Sequence, residues 1–175
     1  DGRFLVFSHS VDIANRWSLV VQDLQTLQKK VIKSSDKSAL SAVWSPDRTF
    51  LIYQKLLRGK YCEIRKLSIN ETDFTEKSDE FVTHCNPKNM LARMSISPDG
   101  QYLVFPDWQE RSGNIVLMLY PFSGGNAEQL SNPPQSSMGD FAVRYSNDGK
   151  YLAFLRDAAG SAGQIWLMSL ADRSS

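Results

Sequence analysis

The chain has 175 residues, of which 42% are hydrophobic and 11% aromatic, and its formal net charge at pH 7 is +1. This composition can bury a sizeable core. The small net charge and the lack of a basic run in the sequence argue against nucleic acid as a partner of this segment. No apolar stretch approaches the roughly 18 residues of a membrane span, and no signal peptide is recognisable, although both could lie upstream in a longer protein.

A short phrase, made of a turn with an aspartate and an apolar run, occurs four times in the sequence. The four aspartates are Asp1, Asp47, Asp99 and Asp148, at spacings of 46, 52 and 49 residues. Such spacing is that of a four-stranded propeller blade rather than of a short solenoid repeat. Pro, Asp and Gly favour a tight turn, and the apolar run favours a strand covered on both faces. The chain is therefore predicted to be an array of repeats.

Each repeat is predicted to contain four strands, numbered outward from its turn. The first strands are predicted at residues 40–44, 91–96 and 141–145, and a hairpin partner follows each turn. The third strands are predicted at residues 17–24, 61–67, 114–120 and 164–170. The fourth strands, at residues 29–33, 80–85 and 127–131, are shorter and more polar. Short, polar and Lys-bearing strands are typical of a protected outer edge.

These strands predict an all-β chain, a partial β-propeller of four-stranded antiparallel blades with two complete and two partial blades. It is expected to be one fragment over residues 1–175, with blades at about 1–33, 39–85, 90–131 and 141–175. Propellers usually close with about four to eight blades, so the open ends would be completed by a longer polypeptide or by another copy. We favour the longer polypeptide, because Asp1 is the third residue of an interrupted turn phrase.

The two cysteines fall on strands predicted to be antiparallel neighbours. If residues whose numbers sum to about 147 face one another, Cys62 lies opposite Cys85. A disulfide there would close a loop of about two dozen residues and contribute roughly 3 kcal/mol, less any strain. It would require an oxidising compartment. The alternative is a pair of reduced, partly buried thiols.

The sequence predicts no metal, cofactor or catalytic site. A metal site of Cys62, His84 and Cys85 is disfavoured because successive strand residues point to opposite faces. His9 is expected to be a solvated histidine in a connection. No Gly-x-Ser-x-Gly elbow is present, and residues 160–163 lack its spacing. With two histidines and no plausible nucleophile near them, the chain is not expected to be an enzyme.

The connection at residues 106–113 contains the predicted partner-binding residues, Asp107, Trp108 and Arg111. An exposed tryptophan beside both charge signs is a typical hot-spot composition. The alternative is a tryptophan that folds onto its own blade. The other three tryptophans fall on predicted strands and are expected in the core or between blades.

The repeated Ser-Pro-Asp-Gly phrase, followed by aromatic-Leu-x-Phe at a spacing of about fifty residues, resembles the TolB-like, WD-repeat-like β-propeller family over essentially the whole chain. Such propellers occur in periplasmic scaffold proteins, before prolyl-oligopeptidase-type hydrolase domains, and as sensory domains of regulators. Arg48 and Asn147 replace the usual Gly and Pro of the phrase, and we expect them to alter those two turns without removing them.

A second set of segments resembles the propeller region of CadC/ToxR-like membrane-bound transcriptional regulators. They are Cys62-Glu63-Ile64, His84-Cys85, Leu91 before the third turn, Leu130-Ser131-Asn132-Pro133-Pro134, and Gly139-Asp140. The resemblance implies a winged helix-turn-helix in the cytoplasm, one membrane span, and this propeller in the periplasm, where the disulfide could form. Neither the helix-turn-helix nor the span is in this sequence.

The regulator resemblance implies a sensory or protein-interaction domain without chemistry or cofactor of its own. Its partner would be a protein or a small periplasmic signal molecule, and the segment itself would bind neither nucleic acid nor membrane. Self-association through the cut blade faces is a further expectation. The alternatives are a periplasmic TolB-like scaffold and the amino-terminal propeller of a prolyl-oligopeptidase-type serine peptidase.

Overall fold

The computed structural model describes residues 2–10, 17–33, 38–57, 61–70, 72–88, 93–157 and 163–171. These residues form fourteen strands and no helix. A helix long and apolar enough to cross a membrane is therefore not found in these ranges. The chain divides into two compact units, Asp1–Pro87 and Lys88–Ser175, which we call unit 1 and unit 2.

Unit 1 contains two antiparallel sheets, which we call blade 1 and blade 2. Blade 1 consists, in sheet order, of β1 (Phe4–Ser10), β2 (Trp17–Asp23) and β3 (Lys29–Lys33). Blade 2 consists of β4 (Ser38–Trp44), β5 (Phe50–Leu57), β6 (Tyr61–Ile69) and β7 (Glu76–Cys85). Blade 1 therefore has the predicted second to fourth strands of a repeat, and blade 2 has all four.

Unit 2 also contains two blades, blade 3 and blade 4. Blade 3 consists of β8 (Ser95–Ile96), β9 (Tyr102–Gln109), β10 (Asn114–Pro121) and β11 (Glu128–Gln129). Blade 4 consists of β12 (Gly139–Tyr145), β13 (Tyr151–Asp157) and β14 (Gln164–Ser169). Of the strand predicted at residues 91–96, the structure describes residues 93–96, and only Ser95 and Ile96 of these form regular strand. One reason is that the carbonyl of Met94 accepts a hydrogen bond from the Arg144 guanidinium at 2.8 Å.

Blades 3 and 4 are joined into one sheet by a single parallel residue pair, Ile115 of β10 and Gly139 of β12. The Ile115 N–H donates to the carbonyl of Met138 at 2.8 Å. Gly139 has a φ of +114°, and a Cβ at this position would overlap the backbone of Ile115. Only glycine allows the two strands to approach so closely.

The turns between first and second strands share one set of hydrogen bonds. In each turn the hydroxyl oxygen of the opening serine accepts a hydrogen bond from the backbone N–H five residues later. The distance is 3.1 Å for Ser45, 2.9 Å for Ser97 and 3.0 Å for Ser146. Arg48 has a φ of +64° where the other two turns have a glycine at +72°. The turn that contains Arg48 and the turn that follows Ser146 both keep the pattern, because each retains its serine and aspartate.

The first strands of blades 2 and 4 carry the same bulge. The register shifts between Leu40 and Val43 in blade 2 and between Phe141 and Arg144 in blade 4. Inside each bulge lies a residue with positive φ, at +54° for Ser41 and +55° for Ala142. Neither residue is a glycine, so the sequence gives no local signal that predicts the bulge.

Each unit has its own hydrophobic core between its two blades. In unit 1 the core includes Leu19, Val21, Leu51, Tyr53 and Leu67. In unit 2 it includes Val104, Leu117, Leu152, Phe154 and Met168. Full burial of one such side chain contributes roughly 1.5–3 kcal/mol. Leu51, Tyr53 and Leu67 of blade 2 stand at the positions of the repeat that Leu152, Phe154 and Met168 occupy in blade 4. Blades 2 and 4 therefore present the same face to their cores.

Candidate functional site

Cys62 of β6 and Cys85 of β7 face one another in the register and are joined by a disulfide, with their Cα atoms 4.8 Å apart. Both residues are buried, and the bond spans a sequence separation of 23 residues. In this state neither sulfur is a thiolate that could bind a metal. His84 is paired with Glu63, and its ring contacts the ring of Phe81 at a centroid distance of 4.8 Å.

The connection predicted at residues 106–113 is shorter than expected. Strand β9 continues through Gln109, so Asp107 and Trp108 lie on the strand, opposite Val116 and Ile115 of β10. The strand can extend because these facing residues complete the antiparallel ladder. Of the three predicted residues only Arg111 lies in the turn, where it is exposed.

Trp108 is half-buried rather than exposed, and its indole Nε1 is buried without a hydrogen-bond partner. The Lys88 ammonium lies 5.4 Å from the centre of its ring and forms an ion pair with Glu110 at 3.1 Å. The tryptophan therefore lies against its own blade, as in the alternative considered for it. Partner binding by Asp107, Trp108 and Arg111 stays a prediction.

His9 lies on β1, opposite Ser18, and not in the connection where it was expected. The ladder with β2 continues to Ser10, which brings this histidine into the strand. Within the described residues, no group of three or more His, Cys, Asp or Glu side chains is arranged to hold a metal ion. Residues 160–162, considered above as a nucleophile elbow, lie outside the described residues.

A cluster of charges joins blade 1 to blade 2. The Asp79 carboxylate, 11% exposed, accepts hydrogen bonds from Arg65 Nε at 2.7 Å and from the Tyr53 hydroxyl at 2.9 Å, and it pairs with Lys33 Nζ at 2.6 Å. Burial alone would raise the pKa of Asp79, but the hydrogen bonds from Lys33, Arg65 and Tyr53 outweigh burial and lower it. Because the carboxylate is already bound by three donors, this cluster stabilises the fold and offers little to a ligand.

Blade 4 contains a second buried ion pair. Arg156 donates to both carboxylate oxygens of Asp140, at 2.7 and 2.8 Å. The guanidinium also lies 4.3 Å from the centre of the Trp166 ring. This bidentate pair is satisfied within the blade and is a structural feature.

Two open clefts lie at the turn ends of the blades, one in each unit. The cleft between blades 1 and 2, which we call the aromatic cleft, has a volume of about 350 Å³. It is lined by Gly2, Phe4, Trp44, Asp47, Arg48, Ile69 and Phe74. The rings of Phe4 and Phe74 meet edge to face, with centroids 4.9 Å apart.

The cleft between blades 3 and 4, which we call the acidic cleft, has a volume of about 460 Å³. Its lining combines leucines, tyrosines and carboxylates: Ser97, Pro98, Asp99, Tyr102, Leu119, Glu128, Leu130, Tyr145, Asp148, Gly149 and Leu170. Among these described residues three are acidic and none is a lysine or arginine. The cleft thus combines apolar leucine surface with a negatively charged rim.

The two clefts stand at equivalent places of the repeat. Phe4 and Tyr102 each follow their turn aspartate by three residues, and Trp44 and Tyr145 each precede theirs by three. The position of Arg48 in the aromatic cleft is taken by Gly149 in the acidic cleft. One repeat has therefore produced two pockets of different chemistry.

Sequence reasoning missed the cleft residues because it sought binding residues in the loops at the other end of the strands. The signal that could have found Tyr102 and Tyr145 is an alignment of the repeats. Such an alignment shows an aromatic residue three positions after every turn aspartate, and another three positions before Asp47 and Asp148. Glu128 carries no such signal, since it stands on a short strand at the sheet edge.

Solved structures with a similar fold include two TolB proteins. TolB from Acinetobacter baumannii has a TM-score of 0.75 and 25% identity, over 97% of this chain and 39% of that chain. A putative TolB from Agrobacterium tumefaciens has a TM-score of 0.74 and 17% identity, over 97% of this chain and 58% of that chain. A prolyl endopeptidase structure has a TM-score of 0.66 and 17% identity, and the chain covers 26% of its length.

These similarities establish the fold as a partial β-propeller of the kind found in TolB. The chain spans less than two thirds of each TolB structure that it matches. No family model matches the chain, and no curated protein sequence does. The TolB-like part of the sequence resemblance is therefore supported by structure, whereas the regulator part rests on the sequence alone.

Proposed function

We propose that this chain is a non-catalytic β-propeller domain that binds a protein partner or a small signal molecule. The observation that carries the proposal is the structural similarity to the two TolB proteins over 97% of the chain. The prolyl endopeptidase is an enzyme of which this chain matches only 26%. Its activity therefore does not transfer to this segment.

The compartment that we propose is the periplasm. The Cys62–Cys85 disulfide supports an oxidising compartment, because such bonds are rarely kept in a reducing cytoplasm. The similarity to TolB points the same way. In this setting the domain acts either as a TolB-like scaffold or as the sensory part of a membrane-anchored protein.

The sensory version has the longer protein as a CadC/ToxR-like winged-helix regulator that binds DNA through another domain. Its support is the resemblance of the segments around Cys62, Cys85 and Gly139-Asp140. In this version a periplasmic signal biases the association or orientation of the propeller, and so of the DNA-binding domain. The propeller itself contacts neither DNA nor membrane.

The partner surface can be tested by photo-cross-linking in cells, with benzoylphenylalanine in place of Arg111 or of Met138. Leu27 is the control position, since it is 68% exposed and Met138 is 62% exposed, but it lies in the turn between β2 and β3. We expect a defined cross-linked product from the first two positions and none from Leu27. Equal labelling from all three positions, or none, would count against a partner surface at the connections that contain Arg111 and Met138.

The sequence on either side of the chain in the longer protein separates the possible contexts. A winged helix-turn-helix and one apolar span upstream support the regulator. A cleavable signal peptide without a span supports the scaffold. A nucleophile elbow in a hydrolase domain downstream would overturn both and make the chain the propeller of a peptidase.

Self-association through the outer face of blade 4 is part of the proposal. Ile165 on β14 is 80% exposed, whereas Ile64, at the equivalent position of blade 2, is 0% exposed. An apolar sheet face of this kind favours contact with a second copy. Sedimentation should show a concentration-dependent dimer that Ile165→Lys abolishes, and a monomer at all concentrations would contradict this part.

A further inference from the structure

We propose that the acidic cleft of unit 2 binds an arginine or lysine side chain presented by a protein partner. The inference rests on the proposed function, since it assumes that the domain binds a protein. It adds the site and the chemistry of the group that is recognised. Three properties of the cleft carry it: an apolar floor, a rim of carboxylates, and two tyrosine rings.

The floor of the acidic cleft suits the stem of a long cationic side chain. Leu119, Leu130 and Leu170 line it and are packed against the core of unit 2. Lysine and arginine bury their methylene stems on apolar surface and keep the charged head at the rim. A small inorganic cation would gain nothing from these leucines, so the floor favours an amphipathic side chain.

At the rim, the turn hydrogen bonds of Asp99 and Asp148 use one carboxylate oxygen of each residue. Asp99 accepts the hydroxyl of Ser97 and the N–H of Gln101, both on Oδ1. Asp148 likewise accepts its two turn hydrogen bonds on Oδ1. These bonds lower the pKa of both carboxyls, and the bond from the serine hydroxyl contributes more than the bond from the backbone N–H. Both are therefore ionised at neutral pH, and Oδ2 is the oxygen that can take a cation.

Tyr102 and Tyr145 add aromatic surface beside the carboxylates. Tyr145 is partly buried and packs against the core of unit 2, while Tyr102 is more exposed. Burial, followed by the negative charge of Asp99 and the proximity of Tyr102, raises the pKa of Tyr145, so these three residues share one environment. Aromatic faces next to carboxylates are a common setting for ammonium and guanidinium groups.

The aromatic cleft of unit 1 provides an internal comparison. There Arg48 lines the pocket at the position of Gly149, and Asp47 is the one carboxylate among the described lining residues. A second arginine, Arg3, lies 4.7 Å from the centre of the Phe4 ring and forms an ion pair with Asp23 at 2.8 Å. With one carboxylate and one arginine in its described lining, the aromatic cleft lacks the excess of negative charge that the acidic cleft has. In unit 2 the exposed Lys150 follows Gly149, but it is not among the described residues that line the acidic cleft.

The proposal can be tested by NMR titration of the chain with N-acetyl-arginine amide at constant ionic strength. N-acetyl-citrulline amide is the matched probe, since it has the same shape without the charge. We expect the arginine probe to shift the backbone amides of Tyr102, Gly149 and Leu170, and the citrulline probe to leave them unshifted. Glu128→Gln combined with Asp148→Asn should weaken binding about five-fold or more. Asparagine can keep the turn hydrogen bonds of Asp148.

The control variant is Asp47→Asn, which makes the same change in the aromatic cleft and should leave the affinity for the arginine probe unchanged. Equal shifts from both probes, or equal weakening by Asp47→Asn and by the unit 2 variants, would overturn the proposal. Absence of any shift in the acidic cleft would overturn it too. None of these results removes the cross-links expected from Arg111 and Met138, so failure of this inference is distinguishable from failure of the proposed function.

Discussion

Units 1 and 2 are built from the same repeat, yet they join their two blades by different bonds. In unit 1 the Trp17 N–H donates to the hydroxyl of Ser38 at 3.3 Å. In unit 2 the equivalent donor, the Ile115 N–H, reaches the carbonyl of Met138 at 2.8 Å, and Gly139 stands where unit 1 has Ser38. A side chain bridges one junction and the backbone bridges the other. The repeat thus sets the course of the strands, and single residues decide how closely they approach.

In the clefts, too, the repeat sets the positions and single residues set the chemistry. Their walls come from equivalent positions, but Phe4, Trp44 and Arg48 in unit 1 are replaced by two tyrosines and a glycine in unit 2. The change in side chains turns an aromatic pocket with a cation into an acidic one. A propeller can therefore vary recognition from blade to blade while its turns and core stay constant.

The largest effect is expected from Gly139→Ala, because the added Cβ would overlap the backbone of Ile115. We expect a loss of about 4 kcal/mol in the free energy of unfolding, measured in urea. Gly124→Ala is the control, since Gly124 also has positive φ, at +105°, but nothing lies within 4 Å of its added Cβ. It should cost about 1–2 kcal/mol. Equal losses for the two variants would mean that the close approach of the strands is unimportant.

The second largest effect is expected from removal of the disulfide, which among the described residues belongs to unit 1 alone. Cys62→Ala with Cys85→Ala should lower the free energy of unfolding by about 3 kcal/mol, since the unfolded chain loses a cross-link. A reductant should lower the free energy of unfolding of the unmodified chain by a similar amount and should leave that of the double variant unchanged. An unmodified chain that is insensitive to the reductant would contradict the prediction.

Asp79→Asn tests the charged cluster that joins blades 1 and 2. At pH 7 we expect a loss of about 2–3 kcal/mol, because Lys33 and Arg65 are left without their carboxylate. The folded pKa of Asp79 is lowered, so its contribution is complete above the unfolded pKa of about 4 and is lost as the pH falls through the folded value. Urea unfolding should therefore separate variant and parent at pH 7 and bring them together near pH 2. A difference that is independent of pH would assign the loss to packing instead.

The smallest effect is expected from Arg48→Gly, which makes the turn of blade 2 like those of blades 3 and 4. Because Arg48 has a φ of +64°, glycine should relieve strain and raise the free energy of unfolding by about 1 kcal/mol. Thermal unfolding of this variant beside Lys150→Gly, a control in which no positive φ is relieved, measures the difference. A loss of stability would show that the arginine side chain contributes more than its backbone costs.

Much of the fold could be predicted because turn chemistry and apolar runs repeat at one spacing. The turn serines and aspartates placed the hairpins, and the fold class is confirmed by the structure. Local exceptions could not be predicted, because they depend on tertiary contacts. Ser41 and Ala142 adopt positive φ without being glycine, and Gln109 lies in a strand where a loop was expected.

The candidate site was harder to predict than the fold. Trp108 was singled out by its charged neighbours, but the ladder between β9 and β10 lays it against its own blade. The three carboxylates of the acidic cleft, Asp99, Glu128 and Asp148, come from three separate stretches of unit 2, and Leu119 and Leu170 come from two more. Residues so far apart meet only after the blades have packed, so their proximity is not visible in a local motif.

A difference in recognition between the equivalent clefts of the two units should be visible in a crystal structure of the chain with N-acetyl-arginine amide. We expect the guanidinium at the rim near Glu128 and Asp148, the methylene stem on Leu170, and no probe in the aromatic cleft. Density for the probe beside Phe4 and Trp44, or in both clefts alike, would contradict this expectation.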